Sequence, residues 1–187
     1  MSTKLISLIA LASVVAAGFA SSMQRDNNNP MVGGQPMMRS MTIVDNAVNS
    51  ADHTTLVAAV KAAGLVDTLK GAGPFTVFAP TNDAFKDLPD GTVDMLLKPE
   101  NKDTLTKVLT YHVVSGLYDT KALKALIHKG DGTGTLTTVE GETLTVMLNG
   151  PTNIVVKDQK GGVAHISTYD VYQSNGVIHV VDKVLMP

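Results

Sequence analysis

The stretch T-V-F-A-P-T-N-D-A-F, Thr76–Phe85, decides how this chain is read. Phe75 to Ala79 is a short apolar run and predicts a buried strand. Pro80 has no amide hydrogen to continue a ladder, so the strand stops there. Thr81 carries the hydroxyl that an N-cap needs, and Asp83 falls in the first turn, where the helix dipole favours an anion. The stretch is therefore a strand-to-helix corner. The last thirteen residues, N-G-V-I-H-V-V-D-K-V-L-M-P, form its counterpart. Asn175-Gly176 is a turn signal, and a strand follows it. Val177, His179 and Val181 face one way along that strand; Ile178, Val180 and Val184 face nearly the other.

Helices are predicted on both sides of the corner. Thr42 with Asp45 makes a capping pair for Ile43 to Val48. Asp52 is the expected cap of the next helix, which buries Leu56, Val57, Val60 and Ala63 and stops at Gly64. Short helices follow over Leu65–Lys70 and Val93–Leu97. Lys102–Thr110 reads as a helix with Leu105, Val108 and Leu109 inward, leading into a short strand, Tyr111–Val114. Asp119 caps a helix over Lys121–His128. After Gly130 the period changes. Leu136–Val139, Thr143–Leu148, Asn153–Lys157, Gly162–Thr168 and Val177–Val184 are rich in Val, Ile and Thr, with Gly-containing turns between them. Helices in the first half and hairpin-linked strands in the second predict an α+β fold.

The front of the chain differs. Lys4 precedes an apolar run from Leu5 to Ala17, and Gly18-Phe19-Ala20 offers small residues for cleavage. Residues 1–20 read as a secretory signal peptide, with no stable membrane span after cleavage. Residues 21–41 are rich in Asn, Gln, Gly, Pro and Met and predict a flexible linker. Its methionines (Met23, Met31, Met37, Met38, Met41) are soft donors of the kind Cu(I) takes, but no His or Cys accompanies them. The folded domain is expected over 42–187. The chain has no Cys, so a secreted domain of this size must be held by its core. A formal net charge of −2, scattered charges and only four Tyr and four Phe argue against nucleic acid as a partner.

Three separated motifs carry a resemblance. The strand-to-helix corner, Tyr111-His112 within L-T-Y-H-V-V, and the closing N-G-V-I-H-V-V-D segment resemble, in this order, the motifs of the fasciclin-domain family. The resemblance covers about Thr42 to Pro187. It implies a β-wedge of two antiparallel sheets with several helices packed along it. It also implies a secreted, extracellular or periplasmic module for cell adhesion or surface and matrix binding, without a catalytic centre or cofactor; a monomer is one expectation, but no motif sets the oligomeric state. The partner class it implies is a cell-surface or matrix protein or polysaccharide. In animal matrix members, a Tyr-His pair and an Asp-Ile pair before the second box are linked to integrin binding. The matching positions here are Tyr111, His112, Asp170 and Val171, with Val in place of Ile. Tyr169 stands where members with the fuller motif carry Pro or Lys. These four residues are the candidate partner-binding site. Some members bind carotenoids, so a second expectation is a carrier of an apolar small molecule, lined by Met95, Leu96, Leu117, Tyr118 and Ile127.

The residues themselves assemble no catalytic motif. There is no Cys nucleophile and no G-x-S-x-G elbow. His53, His112, His128, His165 and His179 lack short metal-ligand spacing. Gly130-Asp131-Gly132-Thr133-Gly134 lacks a phosphate-loop Lys and leads into a strand, so it reads as a turn. An exposed Asp170 suits a receptor-held cation, while His112 beside a sheet suits a buried hydrogen bond between two segments.

Overall fold

The computed structural model describes residues 29–187. The expected signal peptide and the first part of the expected linker lie outside the described residues. From residue 29 onward the linker expectation gives way to a packed hairpin. Strands β1 (Met31–Val32) and β2 (Gln35–Pro36) pair antiparallel. Val32 and Met37 are 7% and 2% exposed, inserted into the main apolar core. Composition alone suggested disorder, but two apolar side chains anchor the segment. The buried Asn46 side chain fastens its backbone, accepting from the Met38 amide and donating to the Met38 carbonyl.

Seven helices follow in chain order with seven further strands: α1 (Ile43–Asn49), α2 (Thr54–Ala63), α3 (Val66–Lys70), β3 (Phe75–Pro80), α4 (Asn82–Lys86), α5 (Thr92–Leu96), α6 (Lys102–Tyr111), β4 (Val113–Ser115), α7 (Thr120–Lys129), β5 (Thr133–Thr137), β6 (Thr143–Asn149), β7 (Asn153–Lys157), β8 (Val163–Gln173) and β9 (Gly176–Val181). The caps at Thr42, Thr81 and Asp119 are made as the sequence predicts, accepting from the amides of Asp45, Ala84 and Ala122. The expected cap at Asp52 is not made. Ala51–His53 forms a single 3-10 turn instead, and α2 starts without a side-chain cap of its own. A residue of the corner takes over that task from α4. Asn82 Oδ1 accepts from the Thr55 amide at 3.0 Å, and Asn82 Nδ2 donates to the Ala51 carbonyl at 2.8 Å.

The seven strands form one mixed sheet in the order β4-β3-β9-β8-β7-β6-β5. With the β1–β2 hairpin this makes two sheets, but the large one is mixed and not antiparallel throughout as expected. The two signature strands, β3 and β9, lie side by side and parallel, with Phe75 opposite Gly176 and Pro80 opposite Val181. Hairpin signals in the second half correctly give antiparallel neighbours, but pairing between distant strands leaves no local signal. β8 is long enough to serve both halves of the sheet. Its start pairs with β7 and its end with β9, with two register shifts between Ile166 and Val171. The sheet curls until its outermost strands meet: Val114 bridges Thr138, and the Val139 amide donates to the Val113 carbonyl at 2.7 Å.

β3 and β9 divide the interior. Val77, Ala79, Ile178 and Val180 join a core under α1, α2 and α6. Phe78 and Val181 point to a second core with Leu123 and Ile127 of α7 and the inward residues of β5 to β8. Every residue of β9 is buried, which explains why branched apolar residues occupy both its faces around the single His179. The turn before it is a junction. Asn175 Oδ1 accepts from the Ile43 amide at the start of α1. Its Nδ2 donates to the carbonyls of Leu69 and Gly71 at the end of α3. Gly176 admits no side chain, since a Cβ there would lie 2.1 Å from the Phe75 carbonyl oxygen.

Candidate functional site

Tyr111 ends α6 with its ring fully buried. Its hydroxyl donates to the Thr143 carbonyl and accepts from the Gln159 amide, at 3.0 and 3.1 Å. Burial of the ring raises the phenol above its ordinary range. His112 is 2% exposed. Its Nδ1 donates to the Val108 carbonyl at 2.8 Å, and its Nε2 accepts from the Leu185 amide at 2.9 Å. It therefore ties α6 to the C-terminal segment, as the buried-hydrogen-bond reading expects. Burial lowers this imidazole to about 4, so it is neutral at physiological pH. Val171 is fully buried in the first core. Three of the four expected partner-binding residues thus have no surface to offer a partner. The physical reason is the same for each: an aromatic, an imidazole and a branched side chain complete two cores and their hydrogen bonds.

Asp170 is different. It is half-buried and sits in the irregular part of β8 with φ +55°, a left-handed conformation that Asp tolerates better than most residues. Its Oδ1 accepts from the Thr120 amide at 2.7 Å in the first turn of α7, and its own amide reaches His179 Nδ1 at 3.4 Å. His179 is buried, donates through Nε2 to the Tyr118 carbonyl at 2.8 Å, and stacks on Phe78. Burial holds His179 below the ordinary imidazole range. The residue is thus held at two points, its carboxylate by the Thr120 amide and its backbone by His179.

Sequence reasoning did not foresee what surrounds Asp170. Tyr172 donates its hydroxyl to Asp119 Oδ2 at 3.0 Å, and the Arg39 guanidinium lies 4.9 Å above the Tyr172 ring. Arg39 comes from the segment that reads as linker. Leu117, 47% exposed, lies on the loop leading into α7. This neighbourhood offers a carboxylate, a cation on an aromatic face and an aliphatic side chain. The residue signals existed, but their contacts span more than a hundred positions in the case of Arg39 and Tyr172.

The expected lining of an apolar carrier site is not assembled. Leu96 belongs to the first core and Ile127 to the second, while Met95 is 53% exposed. A different apolar cavity lies between α1, α2 and α3 and the sheet, enclosing about 40 Å³. A second histidine environment is sealed beneath the N-terminal hairpin: Ser50 Oγ lies 2.9 Å from His53 Nδ1, with both residues buried. Among the described residues no group of three or more His, Cys, Asp or Glu is placed to hold a metal ion. Among the same residues no helix is long and apolar enough to cross a membrane.

A sequence model of the fasciclin domain matches residues 51–187. The chain belongs to the fasciclin-domain family. This fasciclin domain is 47% identical over 167 residues to a protein named sll1483 from Synechocystis sp., covering 88% of this chain and 84% of that relative. It is 38% identical over 146 residues to immunogenic protein MPB70 of Mycobacterium bovis, covering 75% of this chain and 66% of MPB70. Among solved structures, a FAS1 domain pair from the insect cell adhesion molecule Fasciclin I superposes with a TM-score of 0.68 at 19% identity. That match covers 79% of this chain and 51% of the insect one. The N-terminal hairpin, which precedes the family match, brings Arg39 to the surface beside Asp170.

Proposed function

We propose that this protein is a secreted, non-catalytic adhesion module that binds a cell-surface or matrix protein or polysaccharide. The reading is carried by the Asp170 neighbourhood on a fasciclin domain: a carboxylate hydrogen-bonded through one oxygen to the Thr120 amide, beside the Arg39–Tyr172 stack. Its likeness in fold to a domain pair of an insect cell adhesion molecule supports it. Such a surface suits a partner that presents a cation or hydroxyl groups to the carboxylate and a flat face to the guanidinium. Tyr111, His112 and Val171 serve it indirectly, by fixing the elements around it.

The test is retention of cells on surfaces coated with residues 21–187. Folded protein should retain several-fold more cells than heat-denatured protein. Asp170→Asn keeps the left-handed backbone and an acceptor for Thr120 while removing the charge. It should lower retention several-fold with an unchanged melting temperature. Equal retention by folded and denatured protein refutes the adhesion reading; full retention by Asp170→Asn removes Asp170 from the site.

A second reading, a carrier of an apolar small molecule, is supported by the cavity under α2, whose walls are hydrocarbon. Extraction of protein from its native host with organic solvent should then release a lipophilic compound. Recovery of none would count against this reading.

A further inference from the structure

The cavity under α2 has a chemical character narrower than "apolar". Its walls come from Ile43 and Ala47 of α1, Leu56 and Val60 of α2, Leu69 of α3 and Val77 of β3. His112 also borders it, but both ring nitrogens are already committed, to the Val108 carbonyl and the Leu185 amide. The histidine therefore shows the cavity only ring carbon. A polar group placed here would lose its water and gain no hydrogen bond. Hydrocarbon alone is accepted at this depth.

The rim is not neutral. Lys61, in the last turn of α2, also lines the cavity, and its side chain is exposed. Among the described residues it forms no salt bridge. The nearby charges on α1 and α3, Asp45 and Lys70, neutralise each other at 2.6 Å. That leaves a hydrocarbon pit with an uncommitted ammonium at its mouth. The enclosed space holds roughly three water-sized groups, which is room for the end of a chain and not for a ring system.

We infer that this cavity takes the tail of a single-chain amphiphile with an anionic head, a fatty carboxylate, with Lys61 meeting the head at the rim. The inference rests on the carrier reading and narrows it to one ligand class. Each methylene buried should tighten binding about fourfold. The exposed Lys61 pair should add a further factor of about three to five.

The experiment is displacement of a neutral straight-chain polyene dye, the alcohol of parinaric acid, from residues 21–187 by dodecanoate, dodecanol and dodecylamine. Dodecanoate should displace the dye at a concentration about three to five times lower than dodecanol, with dodecylamine weakest. Lys61→Glu, an exposed change that should leave the melting temperature intact, should abolish or invert that order. Val57→Phe fills the cavity from its half-buried wall and should abolish dye binding. If it unfolds the protein, Ala47→Val provides a smaller plug. Equal displacement by all three amphiphiles overturns the fatty-carboxylate inference while leaving the carrier reading standing. Failure of the unaltered protein to bind the dye, or dye binding that survives a folded plug variant, overturns both.

Discussion

Protonating His112 should unfold this protein measurably. The imidazole is locked as one tautomer, with Nδ1 donating to Val108 and Nε2 accepting from Leu185. A second proton can go only on Nε2, where it would face the Leu185 amide hydrogen in a buried site. Burial therefore lowers the folded pKa from 6.5 to about 4. The unfolded chain titrates near the ordinary value, so between these limits it binds one proton more than the folded chain. Stability from this residue is complete above pH 6.5. It falls by about 1.4 kcal/mol per pH unit below that and levels off near pH 4, a total of about 3 kcal/mol. The assay is urea unfolding, followed by far-ultraviolet circular dichroism at steps from pH 7.5 to pH 4, for the natural chain and for His112→Gln. The variant will be less stable at neutral pH, but it lacks this titration. His53 and His179 are also lowered by burial, but they are present in both proteins and cancel in the comparison. The natural chain should lose about 3 kcal/mol more than the variant across the range. Parallel curves would refute the burial argument.

Asn175→Ala should cost about 2–4 kcal/mol in chemical denaturation, because three main-chain groups in α1 and at the end of α3 lose their partner together. Asn82→Ala should cost about 1–2 kcal/mol, and hydrogen exchange should speed up first at the start of α2, where the Thr55 amide is released. Met37→Ala should cost about 2–4 kcal/mol by leaving a hole where a fully packed side chain stood. Limited proteolysis of that variant should cut within residues 29–41 while the remainder stays intact. Unchanged resistance there would show that the hairpin does not depend on this anchor.

The sequence was most legible where physics is local. Thr42, Thr81 and Asp119 are caps because their oxygens reach amides three residues on, and the β-rich second half follows from Gly-punctuated Val, Ile and Thr. The parallel union of β3 with β9 was not legible, since no turn joins those strands. Nor were the roles of Asn82 and Asn175, whose side chains look like ordinary corner and turn residues until their partners arrive from elsewhere. The site was legible only in part. Asp170 was found through its place before the closing strand. Tyr111 and Val171, expected in the partner-binding site, are buried, because a motif records which residues matter and not which way they face. Arg39 was hidden in a stretch whose composition suggests disorder, and only the burial of Val32 and Met37 beside it explains its fixed position.

The meeting of β4 with β5 at Val114 and Thr138 has a consequence for life at high local concentration. A sheet that ends in bare strands invites another chain to add to it, and proteins guard such ends because the addition can repeat without limit. Here the terminal strand β4 meets the chain just past β5 at one bridge and one backbone hydrogen bond, so part of that edge is already occupied. At that corner the backbone groups already paired are closed to a neighbouring copy's ladder. That protection is made by the backbone itself, in a chain with no Cys to form a disulfide.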